Sequence, residues 1–77
     1  MMSPRRGLGD RWLAGERVPN VAFALHDPVW VHEGRHAGRG GRVLLLLDAS
    51  SDPLYLVALD GVGHGARIRQ SLLRPAH

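Results

Sequence analysis

His32-Glu33-Gly34-Arg35-His36 spells H-E-x-x-H. In zinc proteases this pattern sets two histidines on one face of a helix to hold the metal, with the glutamate as general base. The surroundings argue against that chemistry here. Val29, Trp30 and Val31 are strand formers, and Gly34 falls inside the helix the pattern would need. Gly38, Gly40 and Gly41 follow closely, and each interior glycine disfavours a helix by about 1 kcal/mol relative to alanine. A catalytic zinc also needs a third protein ligand. The metzincin extension requires a histidine at position 42, where Arg42 stands. A zinc hydrolase is set aside on these grounds, and incidental metal binding by His32 and His36 across a loop stays as a lesser alternative. No metal or cofactor is expected.

The same stretch carries a second kind of chemistry. Arg35, His36, Arg39 and Arg42 lie in and beside the glycine run, and Arg67 and Arg69 follow near the end of the chain. All ten basic residues are arginine, and the formal net charge is +3. The planar guanidinium fork matches phosphate and carboxylate oxygens. A GC-rich coding bias explains the missing lysine, but not where the arginines sit. Other chemistry is thinner. Gly61 to Gly65 lies between two strands, with no helix N-terminus to cradle a phosphate. Ser3, Ser50, Ser51 and Ser71 lie in turns or ends without a nucleophile elbow. Asp48, Asp52 and Asp60 read as turn residues. No enzymatic activity is expected.

These side chains need a frame. With 77 residues the chain makes one domain, and a domain this small buries only about 60% of its unfolded surface. It has no cysteine to add disulfides or thiolate zinc sites. The longest apolar run, Val43 to Leu47, is five residues, against about 20 for a membrane-spanning helix. Gly7 to Arg17 holds no apolar run that would make Arg5 and Arg6 a signal-peptide start. A soluble, cytoplasmic protein is the expectation.

Residues 1–17 read as a flexible tail, broken by Pro4, Gly7, Gly9 and Gly15. Leu8, Trp12 and Leu13 nonetheless have helical spacing, which leaves open a short docked turn around Asp10 to Ala14. A barrel domain is expected over residues 18–77. Val21, Phe23 and Leu25 alternate with a strand's period of two, as do Val29 and Val31. Val43 to Leu47 is a buried strand, with more leucine than one face of a small barrel can cover. Leu44 or Leu46 is therefore expected to be exposed. Tyr55, Val57 and Leu59 share one face of the next strand, and Asp60-Gly61 opens a tight connection. Ala66 and Ile68 then point inward, with Arg67 and Arg69 outward; Ser71-Leu72-Leu73 closes the pattern. Four to five short antiparallel strands at this spacing predict an all-β sandwich or barrel.

Val29, Val31, Gly34, Gly38, Gly41 and Val43 stand at the fixed points of V-x-V-x-x-G-x-x-x-G-x-x-G-x-V. The stretch resembles the KOW motif, found in SH3-like barrels of large-subunit ribosomal proteins and transcription elongation factors. The resemblance covers about 25 residues of the 77 and implies a small SH3-like barrel, with Gly34, Gly38 and Gly41 as its structural glycines. In RNA-binding members the loop between the glycines is basic, which assigns Arg35, His36, Arg39 and Arg42 to phosphate contacts. Glu33 departs from that pattern. Aromatics are few, and base stacking needs exposed ones. Trp30 alone is placed for it, on the face opposite Val29 and Val31, but the favoured reading of Trp30 is packing against the N-terminal segment.

Two functional expectations follow. In the first, the chain is a non-catalytic module that binds nucleic acid or a ribonucleoprotein through Arg35, His36, Arg39, Arg42, Arg67 and Arg69. In the second, it is a protein-interaction module or a small accessory subunit, possible also as a homo-oligomer. Neither involves a membrane.

Overall fold

The structure, a computed structural model, describes residues 7–76. Its elements are helix α1 (Leu8–Leu13), strands β1 (Pro28–Val31), β2 (Gly40–Asp48), β3 (Leu54–Leu59) and β4 (Gly65–Arg69), a 3₁₀ turn (Gln70–Leu72) and strand β5 (Leu73–Pro75). The strands form one antiparallel sheet in the order β4-β3-β2-β1-β5. Strands β1, β2 and β3 each pair with their successor, and β5 returns to the outer side of β1, with Val31 opposite Leu73. The domain is thus mostly β. Among the described residues, no helix is long and apolar enough to cross a membrane.

Alternation decides which side of the sheet becomes core. Val29 and Val31 on β1, Val43 on β2, and Tyr55 and Val57 on β3 are each at most 1% exposed. Ala66 and Ile68 join them from β4, while Arg67 and Arg69 face out. Phe23 meets the Tyr55 ring edge-on at 5.7 Å, a favoured aromatic geometry.

Three expectations change on this frame. The alternation of Val21, Phe23 and Leu25 does not make a strand. Asn20 and His26 bracket that segment with positive φ, each 67°. The Ala22 N–H donates to the Gln70 side chain, and the Phe23 N–H reaches the Tyr55 hydroxyl at 3.4 Å. Side chains thus satisfy backbone groups that a paired strand would otherwise use.

The second change concerns β2. Its register against β3 slips twice, between Val43 and Leu45 and between Leu46 and Asp48. Each slip inserts one extra residue, and each extra residue reverses the side that follows. Leu46 is therefore turned toward the core opposite Tyr55, and Leu45 and Leu47 are the exposed pair, at 41% and 43%. The expectation of an exposed Leu44 or Leu46 assumed an unbroken period of two.

The third lies in the N-terminal segment. Trp12, on α1, is buried and donates its indole N–H to the Phe23 carbonyl at 2.7 Å. Val18 is buried as well. One tryptophan therefore anchors α1, and it is not Trp30, which stays 44% exposed. The expected tail before residue 7 lies outside the described residues.

Candidate functional site

The connection from β1 to β2 is a closed, hydrogen-bonded loop. The Gly38 N–H donates to the Val31 carbonyl at 2.8 Å, and the Val31 N–H donates to the Arg39 carbonyl at 2.9 Å. Within the loop, Ala37 donates to Gly34 and Arg39 to His36. Gly34 and Gly38 carry φ of 93° and 88°, the left-handed region that glycine enters without a Cβ penalty. Gly41 is needed for a different reason. A Cβ there would fall 2.4 Å from the Ala58 carbonyl oxygen, so the close approach of β2 to β3 excludes a side chain.

This geometry also disposes of the H-E-x-x-H helix. Residues 33–38 are bends and turns. The His32 N–H donates to the Leu72 carbonyl, and its ring Nε2 lies 3.0 Å from the Ser71 carbonyl oxygen. His32 thus fastens the loop to the 3₁₀ turn, while His36 belongs to the groove described next.

A groove of about 540 Å³ separates the β1–β2 loop from edge strand β4. Val31, Val62, Ile68 and Leu72 form its apolar lining. Arg35 and His36 contribute from the loop, His64 from the β3–β4 turn, and Arg67 from β4. Among the described residues, the side chains of Arg35 and Arg67 make no hydrogen bond or ion pair, so both are free to meet an anion. Glu33 lines the same groove and opposes anion binding there. A larger hollow, about 810 Å³, lies along residues 15–24 and contains none of the six expected basic residues.

The other three expected basic residues stand apart from the groove, held by their own chain. Arg39 donates to the Asp60 carbonyl at 3.1 Å and so ties the loop to the β3–β4 turn. Arg42 donates to the His26 carbonyl at 3.2 Å. Arg69 contacts the Asp48 carboxylate and the Asp52 carbonyl, each at 3.2 Å. The Ser50 hydroxyl, together with Arg69, holds the Asp48 carboxyl below its ordinary value. Asp52 is lowered as well, chiefly by the Ser71 hydroxyl and then by the Ser71 N–H.

Three of the six basic residues are therefore gathered at one groove, and three are spent on local fastening. The sequence pattern missed His64, which reads as a plain turn tip. Only the fold of the Asp60-to-Gly65 turn back toward the β1–β2 loop brings it beside His36. No family model, curated protein or solved structure matches the chain.

Proposed function

We propose that the chain is a non-catalytic binding module on an SH3-like barrel, and that it takes the phosphate backbone of a nucleic acid at the groove between the β1–β2 loop and β4. Support for the barrel comes from the consecutive meander β1 to β4 and the return of β5 to β1. The functional reading rests on one observation: Arg35 and Arg67, from distant parts of the chain, line the same groove with no internal partner among the described residues. His36 and His64 line it as well, with His64 Nδ1 lying 3.2 Å from the Gly65 carbonyl oxygen. Contacts of this kind position a backbone and carry little sequence preference.

Fluorescence anisotropy with a short RNA and a short DNA duplex, at low and at physiological salt, tests the reading. Each lost phosphate contact lowers the salt slope by about 1, so Arg35→Ala with Arg67→Ala lowers it by about 2. Arg69→Ala, whose side chain is engaged elsewhere, leaves the slope unchanged. A double variant that keeps the wild-type slope rules the groove out.

A second reading is favoured by Leu45 and Leu47, both exposed on β2 to either side of Leu46. An apolar surface of this kind suits a protein partner or a second copy. Light scattering and pull-down of the intact protein distinguish it from the first.

A further inference from the structure

Trp30 is the one tryptophan that reaches solvent, and its neighbours are unusual for an exposed aromatic. On β2 it faces Gly40, which has no side chain to cover the ring; a Cβ there would lie 3.7 Å from Trp30 Cε3. On β5 it faces Arg74, exposed and without a side-chain hydrogen bond or ion pair among the described residues. Pro28 and Arg42 follow on the same face, because residues two apart on a strand share a side. The Asp60 carboxylate stands at the other margin, 3.3 Å from the same Gly40 Cβ position. The result is a half-exposed aromatic ring beside a glycine on β2, with Arg74 at the paired position on β5 and one carboxylate close to Gly40.

We propose that Trp30 is a stacking platform for an unpaired base of single-stranded nucleic acid, with Arg74 taking the adjoining phosphate. The inference rests on the nucleic-acid reading above and deepens it by naming the strandedness of the ligand. Every base has a π face, so stacking tolerates sequence, and arginine beside the ring supplies the backbone contact. Asp60 adds a discriminating element: a carboxylate accepts from a base N–H and repels a base edge that offers only acceptors. A duplex keeps its bases stacked and cannot present one to Trp30, so the platform favours single strands.

The test uses the intact protein and unlabelled oligonucleotides: a single-stranded DNA, its duplex and a single-stranded RNA. Trp12 is 2% exposed and Trp30 44%, so a contact quencher such as iodide reads mainly Trp30. Bound single strand should quench and shield this emission, and duplex should not. Trp30→Ala should weaken single-strand binding about ten-fold or more while duplex binding through the groove persists; Trp30→Phe should retain part of the affinity. Single-strand binding that leaves the wild-type emission and its iodide quenching unchanged overturns the platform, whether or not the variants fold. Binding of duplex with no loss from Trp30→Ala on single strands overturns the platform alone. Absence of any nucleic-acid binding overturns both this inference and the reading beneath it. A proline-rich peptide that shields Trp30 where oligonucleotides do not assigns the face to a protein and also overturns the proposal.

Discussion

The Tyr55 hydroxyl donates to the Gln70 side-chain oxygen at 2.5 Å, joining the start of β3 to the 3₁₀ turn before β5. The same oxygen accepts the Ala22 N–H at 2.8 Å, and the Gln70 amide nitrogen donates to the Asn20 carbonyl at 2.9 Å. One glutamine thus holds the sheet, the 3₁₀ turn and the segment after α1.

Removing either partner should cost more than an ordinary surface change. Tyr55→Phe keeps the ring packing and loses the hydroxyl, at about 1–3 kcal/mol for a hydrogen bond broken in a buried setting. Gln70→Ala takes the acceptor from the buried Tyr55 hydroxyl and should cost a similar amount, since the exposed Ala22 and Asn20 groups it also releases turn to water. Urea denaturation measures both. A loss below about 0.5 kcal/mol in each would show that the network fastens nothing.

Burial pushes the Tyr55 phenol above its ordinary value. A raised acid ionises more readily in the unfolded chain. Its contribution is complete below the unfolded value of about 10 and is lost as pH rises through the higher folded value. Stability should therefore fall from about pH 10 upward, and Tyr55→Phe should flatten that limb of a denaturation series.

The acid limb has the opposite sign. Asp48 and Asp52 are lowered in the fold by their serine donors, with Arg69 assisting. Their contribution is present above the unfolded value of about 3.9 and fades as pH drops through the folded values. Asp52→Asn should remove part of the pH dependence below about pH 4. An unchanged acid profile in that variant would assign the acid loss elsewhere.

Gly38 and Gly41 should respond differently to alanine. Gly38 has open space around it and positive φ, so Gly38→Ala adds backbone strain of about 1 kcal/mol. Gly41→Ala drives a methyl into the Ala58 carbonyl and must part β2 from β3, at about 1–3 kcal/mol or more. Thermal unfolding of the two variants gives the order.

The bulges on β2 make a paired prediction. Leu45→Ser and Leu47→Ser should each change stability by no more than about 0.5 kcal/mol. Leu46→Ala, between them, should cost about 2 kcal/mol because it packs against the core. Equal costs at all three positions would mean that the register does not slip.

Much of the inward face was legible from period-two spacing alone: Val29, Val31, Tyr55, Val57, Leu59, Ala66 and Ile68 are all buried. What spacing could not reveal is non-local. The β2 bulges are set by pairing with β3, and a five-residue apolar run offers no polar mark to betray them. Val21, Phe23 and Leu25 have a strand's pattern but no strand's partner; Gln70, some 48 residues away from Ala22, supplies the alternative. The split among the arginines was likewise hidden. Arg39, Arg42 and Arg69 find carbonyls that only folding brings near, whereas Arg35 and Arg67 do not. The left-handed turns at Gly34 and Gly38 were readable because glycine marks them directly.

The return of β5 to β1 also has a kinetic consequence. Strands β2, β3 and β4 meet their neighbours through short turns and can assemble early, whereas Val29 must wait for Pro75. That closure orders a long intervening chain and yields only a three-residue strand, so loop entropy weighs heavily against it. The seam between β1 and β5 should be the last to form and the first to open. In amide hydrogen exchange, the Ala76 N–H bonded to Pro28 and the His32 N–H bonded to Leu72 should therefore exchange ahead of the β2–β3 pairing.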